Sequence, residues 1–124
     1  MTWLLIGLFI TVGCLLALRG FVAEEKAVEL LRAGAVVVDV RTRGEFQCGH
    51  IDGALHIPLG TGPGTIRQLL PDPNRAVLVH CLSGGRSNLT KQQLRAMGYG
   101  QVHNLGSLER ARQIVRAAKE VGRA

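Results

Sequence analysis

Residues 80–87, HCLSGGRS, bring one cysteine, two hydroxyls, two adjacent glycines and an arginine into eight positions. Adjacent glycines permit the positive φ angles with which Leu82, Ser83, Gly84, Gly85 and Arg86 can curl so that successive N–H groups point inward, forming an anion cup. A helix opening near Arg86 would add the partial positive charge of its N-terminus at the same point. A thiol in such a place ionises more easily than free cysteine, whose pKa is about 8.5. The expected chemistry is therefore nucleophilic, with Cys81 as the attacking thiolate and residues Leu82, Ser83, Gly84, Gly85, Arg86 and Ser87 holding whatever anion it carries. A buried cysteine beside a plain glycine turn would leave Gly84, Gly85 and Arg86 unexplained together.

Chemistry at one cysteine needs elements that fix it. AVLVH at 76–80 is a short apolar run without alternation, and AVVVDV at 35–40 repeats the pattern. Such runs suit strands buried on both faces, as in a parallel sheet covered by helices. Between and around them the pattern predicts helices over 22–32, 43–48, 65–70, 87–97 and from about Ser107, with short strands at 54–57 and 101–103. The order alternates β and α, and ligands of such sheets gather where strands end and helices begin. Residues 80–87 form such a junction.

Three stretches taken in order resemble the rhodanese sulfurtransferases across most of residues 22–106. They are VVVDVRTRGEFQCGHIDGALHIPL (36–59), VLVHCLSGGRS (77–87) and LRAMGYGQVHNLGS (94–107). The resemblance implies a rhodanese-like α/β domain over residues 20–124, with a central, mostly parallel sheet flanked by helices. It implies that Cys81 carries sulfur as a persulfide, that residues 82–86 cradle it and that Arg86 closes the cradle. Asp39 and Arg41 would be structural, bracing the loop from the neighbouring strand. Related phosphatases place five residues between cysteine and arginine where this chain has four, so the smaller cup suits a sulfane sulfur. The implied partners are a small sulfur donor, such as thiosulfate or a persulfide, and a thiol or cyanide acceptor, with no cofactor and no metal. The chain departs from the family pattern at Gly106-Ser107, where two glycines are usual, and at His56, where asparagine is common. The rival reading is a non-catalytic redox-sensing or partner-binding module on the same fold.

Composition excludes some classes. Of 124 residues 47% are hydrophobic, enough for one domain. The net charge of +6 comes from 15 Lys and Arg spread along the chain with few aromatics, which argues against nucleic acid. Arg112, Arg116, Lys119 and Arg123 recur at helical spacing and form a basic stripe, suited either to solvent or to anionic headgroups. Cys48, Gly49, His50, His80 and Cys81 lack paired metal-ligand spacing, so no metal is expected. Cys48 is expected as a half-buried helix cysteine, and His50, His80 and His103 as caps or core-edge groups. GTGPGT (60–65) lacks the Gly-Lys-Ser/Thr ending of a phosphate-binding loop and reads as a connector.

The first eighteen residues, MTWLLIGLFITVGCLLAL, carry no charge, and Arg19, Glu24, Glu25 and Lys26 follow. A helix from Trp3 to Leu18 would span about 24 Å, slightly under the roughly 30 Å of a bilayer core. A cleaved signal would want a basic n-region, which Met1-Thr2 does not supply. Cys14 falls in an imperfect lipoprotein box, because the apolar run continues past it. Residues 1–19 are therefore expected to be a single transmembrane anchor, with Trp3 and Phe21 near the two ends of the apolar run, either as interfacial anchors or incidentally. Arg19, Lys26 and Arg32 lie on its C-terminal side and place the domain in the cytoplasm by the positive-inside rule. Three cysteines, Cys14, Cys48 and Cys81, make a poor disulfide framework and fit a reducing compartment.

Overall fold

The computed structural model describes residues 20–121. Its centre is a parallel sheet of β1 (Val36–Asp39), β2 (Leu55–His56), β3 (Val77–His80) and β4 (Val102–Gly106), in the spatial order β2-β1-β3-β4. The helices are α1 (Glu24–Arg32), α2 (Arg43–Gln47), α3 (Pro63–Leu69), α4 (Gly85–Ala96) and α5 (Leu108–Val121). The transmembrane helix expected over residues 1–19 lies outside the described residues. Among those described, no helix is long and apolar enough to cross a membrane.

Unbroken apolar runs in β1 and β3 follow from burial on both faces. Successive strand side chains point to opposite sides, so each position must suit one of two cores. Val38, Val40, Val77, Val79, Cys81 and Val102 meet Ile66 and Leu70 from the α3 region, with Leu94 and Tyr99. Val37, Leu78 and Leu105 meet Ala27 of α1 and Ala111 and Ile114 of α5 on the other side. Each fully buried valine or leucine contributes roughly 1.5–3 kcal/mol. The Tyr99 hydroxyl donates to the Leu70 carbonyl at 2.5 Å and ties the end of α4 to the end of α3.

Three boundaries differ from expectation. Helix α3 begins at Pro63, inside the segment read as a connector, because proline at the first helical position loses no needed N–H. Helix α4 begins at Gly85 with Gly84 as its N-cap at φ +104°, so the helix opens within the glycine pair. Strand β4 runs on to Gly106 although asparagine and glycine are poor strand residues. Pairing decides that extension: Cys81 N–H donates to the Gly106 carbonyl at 3.2 Å, and Val22 N–H donates to the Asn104 carbonyl at 2.9 Å.

Candidate active site

Cys81 follows the last residue of β3, and its side chain is fully covered. The chain then turns so tightly that Gly84 N–H donates to Cys81 Sγ at 2.9 Å. The Ser87 hydroxyl stands 3.5 Å from the same sulfur. That hydroxyl shares its one proton among the sulfur, Asn104 Oδ1 at 2.8 Å and the Gly84 carbonyl at 3.0 Å. Asn104, buried in β4, completes the lock: its Nδ2 donates to the Gly84 carbonyl at 3.0 Å and its Oδ1 accepts from Gly106 N–H at 2.9 Å. Ser83 pairs with Ser107 across the loop. The cup is thus fastened to the end of β4 at three residues.

Burial pushes the Cys81 thiol up, but the Ser87 hydroxyl and amide, then the Gly84 and Ser83 N–H groups, outweigh it and hold the thiol below its ordinary range. The arrangement favours a thiolate with no histidine base. Above the loop lies an open cavity of about 290 Å³ lined by Gly20, Phe21, Ser83, Gly84, Gly85, Asn88 and Asn104. Leu82, next in the loop after Cys81, is 57% exposed.

Arg86, expected to close the cradle, is paired with a carboxylate. Its Nη1 and Nη2 donate to Glu45 Oε1 and Oε2 at 2.6 and 3.0 Å, a bidentate pair. Glu45 is fixed in turn by a capping box at the start of α2, accepting from Thr42 N–H at 3.1 Å while its own N–H donates to Thr42 Oγ1 at 3.3 Å. The hydrogen bonds from Arg86, then from the Thr42 N–H, hold the Glu45 carboxyl down to about 2. Glu45 in turn raises the Arg86 pKa by accepting its hydrogen bonds.

Asp39 and Arg41 are both buried and pair with each other: Nε and Nη2 of Arg41 donate to Asp39 at 3.0 and 2.8 Å, and Nη2 also donates to the Gly49 carbonyl at 2.7 Å. Burial raises the Asp39 carboxyl, and the Arg41 hydrogen bonds more than reverse it. This corrects one expectation. Their hydrogen bonds hold the turn after β1 and Gly49, not residues 82–86. The link toward the loop passes through His80, whose Nε2 lies 3.7 Å from Asp39 Oδ2 and has no hydrogen-bond partner. Burial lowers the His80 pKa despite the nearby Asp39 charge, so the ring is a neutral core group.

Other expectations also change. Cys48 is exposed at the end of α2 rather than half-buried within it. His50 stacks on Phe46 with ring centroids 3.8 Å apart, and His56 stacks on the same ring at 4.3 Å while contacting the Arg41 carbonyl at 2.8 Å. Arg112, Arg116 and Lys119 line a second cleft of about 200 Å³ with His50, Ile51, Asp52 and Val115, and that cleft holds no nucleophile. Arg123 lies outside the described residues. Three contributors were not read from the sequence: Glu45, Asn104 and the Phe21 ring. The Thr42-x-x-Glu45 spacing was the available signal for the first.

Comparison with known proteins agrees with this geometry. The family profile for the rhodanese-like domain matches residues 23–111. The thiosulfate sulfurtransferase PspE of Escherichia coli (strain K12) is 39% identical over 72 residues, covering 58% of this chain and 69% of its own. The thiosulfate sulfurtransferase GlpE of Pseudomonas entomophila (strain L48) is 32% identical over 84 residues, covering 68% and 75%. A solved Escherichia coli rhodanese with anions superposes with a TM-score of 0.59 at 36% identity, over 62% of this chain and 91% of that one. A human single-domain sulfurtransferase gives 0.55 at 30%, over 68% and 87%. With a cysteine at the end of a parallel strand, a glycine-built cup of N–H groups around its sulfur and these relatives, the chain belongs to the rhodanese family.

Proposed function

We propose that this protein is a sulfurtransferase that carries sulfane sulfur on Cys81. The reaction class rests on family membership and on relatives named thiosulfate sulfurtransferases. The observation that supports the persulfide is the 2.9 Å hydrogen bond from Gly84 N–H to Sγ at the mouth of a helix, which stabilises sulfur anions. The Cys81 thiolate attacks the outer sulfur of a donor. With thiosulfate the sulfur–sulfur bond breaks, sulfite leaves with the electron pair, and Cys81 becomes a persulfide anion. An acceptor such as cyanide or a thiolate then attacks the terminal sulfur, and Cys81 leaves as the thiolate it was. The loop N–H groups stabilise the charge on sulfur throughout by electrostatics.

Arg86 bears on the donor. Its charge is already compensated by Glu45, so the cup attracts a dianion such as thiosulfate less than a bare arginine would. The reading is tested by turnover: product must accumulate beyond one equivalent per chain when donor and cyanide are both present. A single modified species that persists in acceptor would instead favour the sensing module.

Residues 1–19 are proposed as a single membrane anchor, and the domain from residue 20 as cytoplasmic. The uncharged segment and the flanking Arg19, Lys26 and Arg32 support this. The exposed Cys48 supplies the reporter. A thiol reagent that cannot cross the membrane should leave Cys48 unlabelled in intact cells and label it after lysis; labelling without lysis would refute the topology.

A further inference from the structure

The family match begins at residue 23, yet the loop that holds the sulfur is backed by a side chain that precedes it. Phe21 packs its ring directly on Gly84 and Gly106. A methyl group on Gly84 would lie 2.6 Å from Phe21 Cζ, and one on Gly106 would lie 2.9 Å from Cε2. Both glycines have positive φ, +104° and +91°, so the bare Cα atoms serve backbone and ring alike. The strap carrying Phe21 is fastened on both sides. Val22 N–H donates to the Asn104 carbonyl at 2.9 Å, and Arg110 Nη2 donates to the Val22 carbonyl at 2.5 Å. Arg110 also sets its guanidinium carbon 5.5 Å from the Phe21 ring centroid and donates through Nη1 to the Leu105 carbonyl. Lys91 Nζ reaches the Gly20 carbonyl at 3.4 Å.

From this packing we infer that Phe21 is a positioning residue for the sulfur cradle, holding the Gly84 amide on Cys81 from two residues ahead of the family match. The inference rests on Cys81 being the reacting thiol, and its consequence is specific. Gly84 is the residue whose N–H meets Sγ, and its carbonyl accepts from the Ser87 hydroxyl, Asn104 Nδ2 and Asn88 N–H. The Phe21 ring packs against Gly84 and also lines the cavity beside the loop. The bonds to the Gly84 carbonyl hold the peptide after Gly84; removing the ring frees the Ser83–Gly84 peptide, which carries the N–H on Sγ, to turn, and the thiolate loses part of a hydrogen bond to a charged group. The residues just after the uncharged N-terminal segment therefore bear on the cup's chemistry as well as on tethering.

The test compares Phe21→Ala, Phe21→Leu and Phe21→Tyr in the full chain by iodoacetamide labelling of Cys81, read on its peptide by mass spectrometry across pH. The assay needs no sulfur donor, so it is independent of whether the protein transfers sulfur. A weakened hydrogen bond leaves less thiolate but makes it more basic and more nucleophilic. Phe21→Ala should therefore label about threefold more slowly at neutral pH and overtake the parent at high pH, with Phe21→Tyr close to the parent. If Phe21→Ala does not fold, Phe21→Leu, which keeps most of the apolar contact, must show the same crossing on a smaller scale. Parallel pH profiles, or a lowered melting temperature with an unchanged profile, would reduce Phe21 to a packing residue and overturn the inference.

Discussion

Asn104→Asp changes one atom of a buried side chain and tests how the cup ionises its sulfur. The amide now donates to the Gly84 carbonyl at 3.0 Å and accepts from the Ser87 hydroxyl and Gly106 N–H at 2.8 and 2.9 Å. An aspartate keeps both acceptor bonds, loses the donor and adds a charge. Ser87 Oγ lies 2.8 Å from Asn104 Oδ1 and 3.5 Å from Cys81 Sγ, so the new charge stands no more than about 6 Å from the sulfur. At an effective dielectric constant of about 20, two like charges at that distance repel by about 3 kcal/mol. With two donors the carboxylate keeps its charge and the thiol keeps its proton. The thiolate fraction at neutral pH should fall by roughly tenfold to a hundredfold, and the rate of persulfide formation should recover as pH rises. The assay is the pH profile of single-turnover sulfur uptake, with circular dichroism as the check on folding. A folded variant whose profile coincides with the parent's would refute the claim that the electrostatics of the cup set Cys81 ionisation.

Replacing Asp39 by Asn leaves the buried Arg41 guanidinium without its counter-charge, and loss of one partner of a buried pair costs about 3–5 kcal/mol; urea unfolding reads this directly, and a loss under about 1 kcal/mol would mean that Gly49 alone holds Arg41. Glu45 is held down to about 2, so its contribution to stability is complete above its ordinary value near 4.5 and is lost as pH falls toward 2. Glu45→Gln should flatten the acid limb of the stability curve over that window; parallel limbs would deny the role of the Arg86 pair. His80 is lowered by burial, so the unfolded chain binds more protons below about 6.5 and stability falls as pH drops through that point. His80→Gln should make the curve shallower below that value, and an unchanged slope would shift the effect to His103, which burial also lowers.

How far these features were legible depends on distance along the chain. The apolar runs at 36–38 and 77–79 announced strands buried on both faces because each position is apolar, whichever core it meets. The cup was legible because Gly84 and Gly85 permit backbone turns that few other residues adopt. Glu45 was missed because its partner Arg86 lies 41 positions away, and a capping box alone signals only a local helix start. Asn104 was missed because asparagine and glycine end strands by propensity, whereas pairing with β3 and with Val22 carries β4 through them. Phe21, read as an interfacial or incidental aromatic beside an apolar segment, packs instead on two bare glycines, a contact that no periodicity encodes. Cys48 was taken as half-buried from its place at a helix end, but α2 stops at Gln47 and turns it outward.

The most direct measurement is the intact mass of the reduced chain after incubation with thiosulfate and, separately, with glutathione persulfide, for the parent protein and for Cys81→Ser. A gain of one sulfur atom that cyanide removes and that Cys81→Ser never shows is the predicted result. A folded parent that gains no sulfur from either donor, or a Cys81→Ser chain that still turns over, would contradict the account.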